Sequence, residues 1–327
     1  MERAGLPFAD MHSHFLLNAW MLDRPFSRPE PDRLPWGPFG NRIGMDGAIS
    51  GGVGCITFTV YAPSPHLRGF PTWRWTLGQV RAFRRLAGED ARKFNAVRTG
   101  AEARAVAAGG GVAGILAVEG GHSLQGDLRR LDDLAAEGVR MLSLAHFVSN
   151  DLADVGSCPW KPNGGLSSLG REALVRMERL GMIPDVAHLS DEAVRDFLAV
   201  AEGPVVDSHT GMRHLCDISR NLPDDLARGI AGSGGIVGIV LFPPYLARGL
   251  GLAQSLDRFL DHCCHAASIA GVDHVGIGTD LDGFTWPPRG IRGYQDFPAI
   301  ADGLGRRGFS EQEILAMMGG NYLRLLG

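Results

Sequence analysis

The 327 residues, 45% of them hydrophobic, suffice for one large domain with insertions or for two ordinary ones. A formal net charge of -4 leaves no basic excess for nucleic acid or an anionic membrane. The five cysteines (Cys55, Cys158, Cys216, Cys263 and Cys264) form no CxxC pair and read as reduced thiols of a reducing compartment.

The chain opens MERAGLPFADMHSHF, without the basic and apolar regions of a secretory signal, and reaches a buried-strand pattern at once. Short apolar runs predict strands over 7–14, 53–62, 112–119, 139–147, 182–188, 204–209, 235–242 and 274–280. Amphipathic stretches between them predict helices over 73–108, 128–138, 170–181, 191–201, 223–233 and 255–271, with a last one over 310–326. In that last helix Ser310 followed by Glu313 has the form of a capping box. Two segments read as loops. Residues 24–51 carry Pro25, Pro29, Pro31, Pro35 and Pro38, and residues 283–296 include Trp286, Pro287, Pro288 and Tyr294. No apolar run approaches ~18 residues, and the helical C-terminus has no hydrophobic tail. The expectation is a soluble cytoplasmic protein with no membrane or nucleic-acid partner.

Eight strand–helix units with near-continuous apolar strands predict an α/β fold. It would be a single (β/α)8 TIM barrel domain over 1–327, with loop insertions after strands 1 and 8. An open doubly wound sheet is the alternative, weakened by the lack of a GxGxxG or GxxxxGK[ST] turn after the first strand.

Most predicted strands end on an ionisable residue. The first ends in His12-Ser13-His14, and residues i and i+2 of a strand share a face, so both imidazoles can reach one ion. The third delivers Glu119 after an apolar run, where a carboxylate is costly unless paired or metal-bound. An arginine partner would satisfy it, but Gly120 and Gly121 after it favour close approach of backbone to a ligand. The fifth and sixth end PDVAHLS and VVDSHT. They supply His188 and His209, with Asp185 and Asp207 upstream either orienting an imidazole or serving as structural hydrogen-bond partners. Four imidazoles and a carboxylate exceed the three protein ligands of a mononuclear catalytic zinc. They fit two ions bridged by Glu119, with a bridging hydroxide as nucleophile. Asp280, in GIGTDLDG, stands where it could carry a proton, and Asp282 is its same-face neighbour. His146 is either an oxyanion donor or a rim histidine.

These residues lie in longer motifs: VEGGHSL, GVRMLSLAHFVSNDLAD, LGMIPDVAHLS, PVVDSHT, SRNLPDD, HVGIGTDLDG and FPAIADGLGRRGFSEQEI…NYLRLL. In their order the chain resembles the membrane (renal) dipeptidase family of the amidohydrolase superfamily, from about Asp10 to Leu325. The resemblance implies a binuclear zinc barrel that cleaves dipeptides, including those with a D-configured second residue. It implies that His12 and Glu119 hold one zinc and Glu119, His188 and His209 the other. It gives His146 the substrate carbonyl, Arg220 the substrate carboxylate and Asp280 the proton. It also allows a homodimer. One departure stands out: the family's first motif is His-x-Asp, and here it is His-x-His, so His14 rests on geometry. The alternatives are another amidohydrolase acting on N-acyl amino acids or related amides, and a non-catalytic barrel with an altered metal site.

Overall fold

The computed structural model describes residues 7–27, 42–63, 71–89, 93–249, 255–283 and 287–327. Most of the proline-rich segment predicted after the first strand, and Trp286, lie outside them. Among the described residues nine strands form: β1 (Phe8–Ser13), β2 (Val53–Tyr61), β3 (Phe94–Ala96), β4 (Val112–Glu119), β5 (Val139–Ser143), β6 (Ile183–Asp185), β7 (Asp207–Thr210), β8 (Val237–Ile239) and β9 (Val275–Ile277). Every strand pairing is parallel. One sheet runs β1-β2-β4-β5-β6 with β3 also on β4, and a second runs β7-β8-β9.

Backbone hydrogen bonds join the two sheets on both sides. Val186 N–H donates to Val206 O (2.8 Å) and Val206 N–H to Pro184 O (3.0 Å), linking β6 to β7. Asp280 N–H donates to His12 O (2.9 Å) and His14 N–H to Leu281 O (3.0 Å), linking the chain after β9 to β1. Asp10 reinforces that second seam: its carboxylate accepts the amides of His12 and Thr279, the Thr279 hydroxyl and the Tyr294 hydroxyl. The sheet is therefore a curled parallel one, and its C-terminal strand ends face a common region.

Burial explains the strand composition. All eight residues of β4 and eight of nine in β2 are buried, because helices cover the outer face. Phe26, Phe58 and Phe94 pack with centroids 5.2–5.5 Å apart, each contact contributing about 0.5–1.5 kcal/mol beyond area burial. The helices lay down apolar stripes such as Ala173, Leu174 and Met177 on Ser168–Arg179. No helix among the described residues is long and apolar enough to cross a membrane. All five cysteines are free thiols.

The eight predicted strands all form, but details differ, and residues 45–51 of the predicted loop over 24–51 form a helix, Met45–Gly51. The helix predicted over 73–108 is a helix (Thr72–Glu89), strand β3 and a second helix (Gly100–Ala108). Phe94, Asn95 and Ala96 pair with Val112, Ala113 and Gly114, and a Thr99–Glu102 capping box starts the second helix. A three-residue strand is too short to leave a period in the sequence. The predicted helix over 310–326 starts with the Ser310–Glu313 capping box. It then opens into a wide turn at Ala316–Gly320, where Gly319 lies against the backbone of Pro7 and Ala9. Finally, the strands predicted to reach Phe147 and His188 stop at Ser143 and Asp185. The chain turns there, so the imidazoles beyond them project from turns.

Candidate metal centre

β1 carries His12, with His14 one residue past its end; β4 ends on Glu119; β7 contains His209. His146, His188 and Asp280 each follow a strand by three residues. Phe147, His188, Asp280 and Asp282 take left-handed backbone (φ 49°, 73°, 56° and 62°), four of the six non-glycine residues with positive φ among those described. Such conformations are costly for residues with a Cβ and concentrate where side chains must be aimed.

The aim is one carboxylate. Glu119, 2% exposed, has His188 Nε2 at 3.0 Å, His209 Nε2 at 3.4 Å and His12 Nε2 at 3.5 Å from Oε1. His14 Nε2 and His146 Nε2 lie 3.4 and 3.5 Å from Oε2, which makes no hydrogen bond among the described residues. The Nε2 atoms of His12 and His14 are 3.2 Å apart, those of His188 and His209 2.9 Å. Ligand atoms around a tetrahedral zinc stand about 3.3 Å apart for bonds of ~2.0–2.1 Å. The donor set and its spacing fit metal. Three groups of donors have mutual distances within 4.8 Å: His12, His14 and Asp280; His12, Glu119 and His209; Glu119, His146 and His188.

A hydroxyl behind the imidazoles sets their tautomers. Ser208 Oγ donates to Asp185 Oδ2 (2.6 Å) and lies 2.9 Å from His209 Nδ1 and 3.3 Å from His12 Nδ1. With its proton on Asp185, Oγ can only accept from those rings, which puts their protons on Nδ1 and their lone pairs on Nε2, facing Glu119. Asp185 thus acts on two imidazoles through Ser208. Arg220, buried, donates Nε–H to His188 Nδ1 (3.1 Å) and Nη2–H to His209 O (2.7 Å), and stands 5.2 Å from the Tyr245 ring centroid. It forms no ion pair with a carboxylate among the described residues.

Residues 41–327 match the family Membrane dipeptidase (peptidase family M19). The chain belongs to that family. It is similar to the dipeptidase aclJ of Aspergillus oryzae, 36% identical over 219 residues. The aligned stretch is 67% of this chain and 52% of that protein, so the chain spans about half the relative's length. Among solved structures it is similar to dipeptidase AC, a metallopeptidase of family M19, with a TM-score of 0.88, 25% identity and coverage of 98% of each chain. It is similar also to a Rhodobacter sphaeroides metallopeptidase liganded with a phosphinate mimic of L-Ala-D-Ala. That likeness has a TM-score of 0.86 and 24% identity, and covers 98% of this chain and 99% of that one.

The M19 match begins after His12 and His14, so in this membrane dipeptidase family member that pair stands on geometry. His14 Nε2 is 3.0 Å from Asp280 Oδ1. Burial alone would lower the His14 pKa, but Asp280 and Glu119 raise it to about 9. His12, His146, His188 and His209 go the other way, held well below the usual value by burial and by neighbouring imidazoles and Arg220. Neutral imidazole is the form that ligates metal. Burial lifts Glu119 to about 8, against the charges of His14 and Arg220.

A cavity of about 360 Å³ opens onto this cluster, with Leu17, Phe147, Phe242 and Tyr245 as its less polar walls. Every residue singled out at the strand ends is either in it or directly behind it, with three qualifications. Asp282 accepts the Arg42 amide (3.1 Å), which supports its hydrogen-bonding reading. Asp207 is buried, pushed up to about 7 by desolvation against Arg220. Gly120 and Gly121 are both required by packing. Gly120 (φ 97°) leaves room for the His122 ring, and a Cβ on Gly121 would meet Leu144 O at 2.8 Å. Sequence reasoning missed Ser208, Tyr245 and Gly283; the serine adjoins His209, but nothing in the sequence says which rings its hydroxyl reaches.

Proposed function

We propose that this chain is a zinc-dependent dipeptidase with two ions per chain, on a single (β/α)8 barrel formed by the two joined sheets, with insertions after the first and last strands. The observation that carries the reading is the convergence of five imidazole Nε2 atoms on Glu119 at the cavity, with the buried Arg220 directly behind His188. Glu119 would bridge the ions, with His12 and His14 on one side and His188 and His209 on the other. Bound there, the ions would supply Lewis acidity and a water made nucleophilic near neutral pH.

The chain's own residues perform the rest. Asp280, at the edge of the cluster beside His14, takes a proton from the attacking water and delivers it to the departing amine. His146, held neutral by burial, donates Nε2–H to the oxygen of the scissile carbonyl as charge develops there. Arg220 presents a planar fork to the substrate's terminal carboxylate. The apolar walls favour apolar substrate side chains. The L-Ala-D-Ala mimic bound by the Rhodobacter relative brings L-D dipeptides into the reading.

The test is a steady-state panel on the zinc-loaded protein: L-L dipeptides, L-D dipeptides, and N-acyl amino acids of matched side chain. Turnover of dipeptides, with N-acyl amino acids slower, supports the proposal. Selective turnover of N-acyl amino acids, or none of either by a protein holding its zinc, overturns it.

A further inference from the structure

A second group of metal-competent side chains meets outside the cavity around Glu119. His214 lies in the segment between β7 and the helix Asp224–Gly232, Asp224 opens that helix, and His265 comes from the helix Leu256–Ala270. One ligand atom of each lies within 4.8 Å of the other two. The two imidazoles stack with centroids 4.6 Å apart and planes 7° from parallel, so a shared ion requires the exposed His214 ring to turn its lone pair toward that of His265. His265 Nε2 is 2.9 Å from Asp224 Oδ1.

The framework beneath this group is tied by hydrogen bonds. His262, one turn before His265 on the same helix face, accepts the Met212 amide at Nδ1 (2.8 Å) and hydrogen-bonds Leu246 O through Nε2 (3.0 Å). That bond pins the backbone two residues before His214. The segment is also closed on itself: Leu222 N–H donates to Gly211 O and Arg213 N–H to Leu222 O, each at 2.9 Å. His265 and Asp224 are partly buried, whereas His214 is exposed at the open side. Two imidazoles and one carboxylate suit zinc, copper or nickel better than magnesium or calcium, which take oxygen ligands. Three protein ligands leave a fourth position to water.

We propose that His214, Asp224 and His265 bind one divalent transition-metal ion, separate from the ions at Glu119. The ion ties the segment that carries Arg220 to the helix Leu256–Ala270. The site shares no residue with the Glu119 cluster, so it stands or falls independently of the catalytic reading.

The test is equilibrium dialysis against graded zinc, using protein already saturated at its tighter sites. Wild type takes up one zinc per chain more than His265→Ala, and His214→Ala weakens that uptake at least tenfold. Magnesium in excess does not compete. Limited proteolysis reads the bracing: zinc slows cleavage within 211–222 in wild type and leaves the variants unprotected. If His265→Ala fails to fold, the exposed His214→Ala makes the same comparison. Equal zinc uptake by wild type and His214→Ala overturns the site; uptake without protection overturns the bracing.

Discussion

Arg220 donates its Nε–H to Nδ1 of His188 at 3.1 Å, holding from behind an imidazole whose Nε2 lies 3.0 Å from Glu119. In this arrangement Nδ1 is the acceptor, so the ring proton sits on Nε2 and points at the carboxylate. Ligation of a metal through Nε2 requires the proton on Nδ1, where it opposes the guanidinium N–H. Metal loading of His188 and its contact with the Arg220 Nε–H would therefore compete.

Arg220→Lys keeps the charge and loses the fork. We predict a rise in KM of about 10- to 100-fold on dipeptides, the loss of a charge-assisted hydrogen bond, with a smaller fall in kcat. On a dipeptide amide, which has no terminal carboxylate, wild type and variant should converge. A variant that loses kcat alone would count against the carboxylate role.

Glu119→Gln removes the one carboxyl group that faces five imidazoles. Metal retained after gel filtration should fall by about half or more, and hydrolysis should fall to background. Metal analysis of the purified variant checks this directly, and full retention would contradict the bridging role.

His14→Asp restores the family's His-x-Asp pattern and exchanges the 3.0 Å pairing with Asp280 for a third carboxylate beside Asp280 and Glu119. Like charges in one dry site repel unless a cation neutralises them. Chelator should therefore lower Tm further in the variant than in wild type, by about 5 °C for a penalty of roughly 2 kcal/mol. Thermal unfolding with and without chelator measures it, and an equal drop would rule out the electrostatic account of His14.

A hydrogen on Gly283 is all the space allows: a Cβ there would run into the His14 ring and Asp280 Oδ1. Gly283→Ala should lower kcat at least about tenfold while Tm changes little, because the strained groups are aimed side chains at the rim. Unchanged kcat would show that the rim gives way freely.

His262 provides the pH prediction. Burial pushes its pKa down to about 4, opposed by the hydrogen bond to Leu246 O. Its folded pKa is depressed below the ordinary value of about 6.5. The unfolded chain therefore binds the proton first as pH falls. Stability from the neutral ring is complete above about pH 6.5 and is lost progressively down to about pH 4, an amount on the order of 3 kcal/mol. His262→Asn, which can still accept the Met212 amide, should flatten this part of the profile. Urea midpoints at pH 7 and pH 4.5 make the comparison, and parallel profiles would exclude His262 as the source.

The sequence by itself determined the α/β alternation, eight of the strands, the Ser310–Glu313 cap and the chemistry of the strand ends. It could do so because each is local: a period of two or 3.6, a cap spanning four residues, an HxH pair sharing one strand face. Tertiary structure alone decided which ends meet. His188 and Glu119 are 69 residues apart in sequence and 3.0 Å apart in space. That distance depends on the curl of the sheet and on left-handed turns at His188 and Asp280, which no periodicity encodes. The strand β3 escaped because three residues have no period. Ser208 escaped because a hydroxyl's role lies in its partners, Asp185, His209 and His12, which come from three different strand ends. Local pattern fixed what each residue could do; long-range packing decided which residues act together.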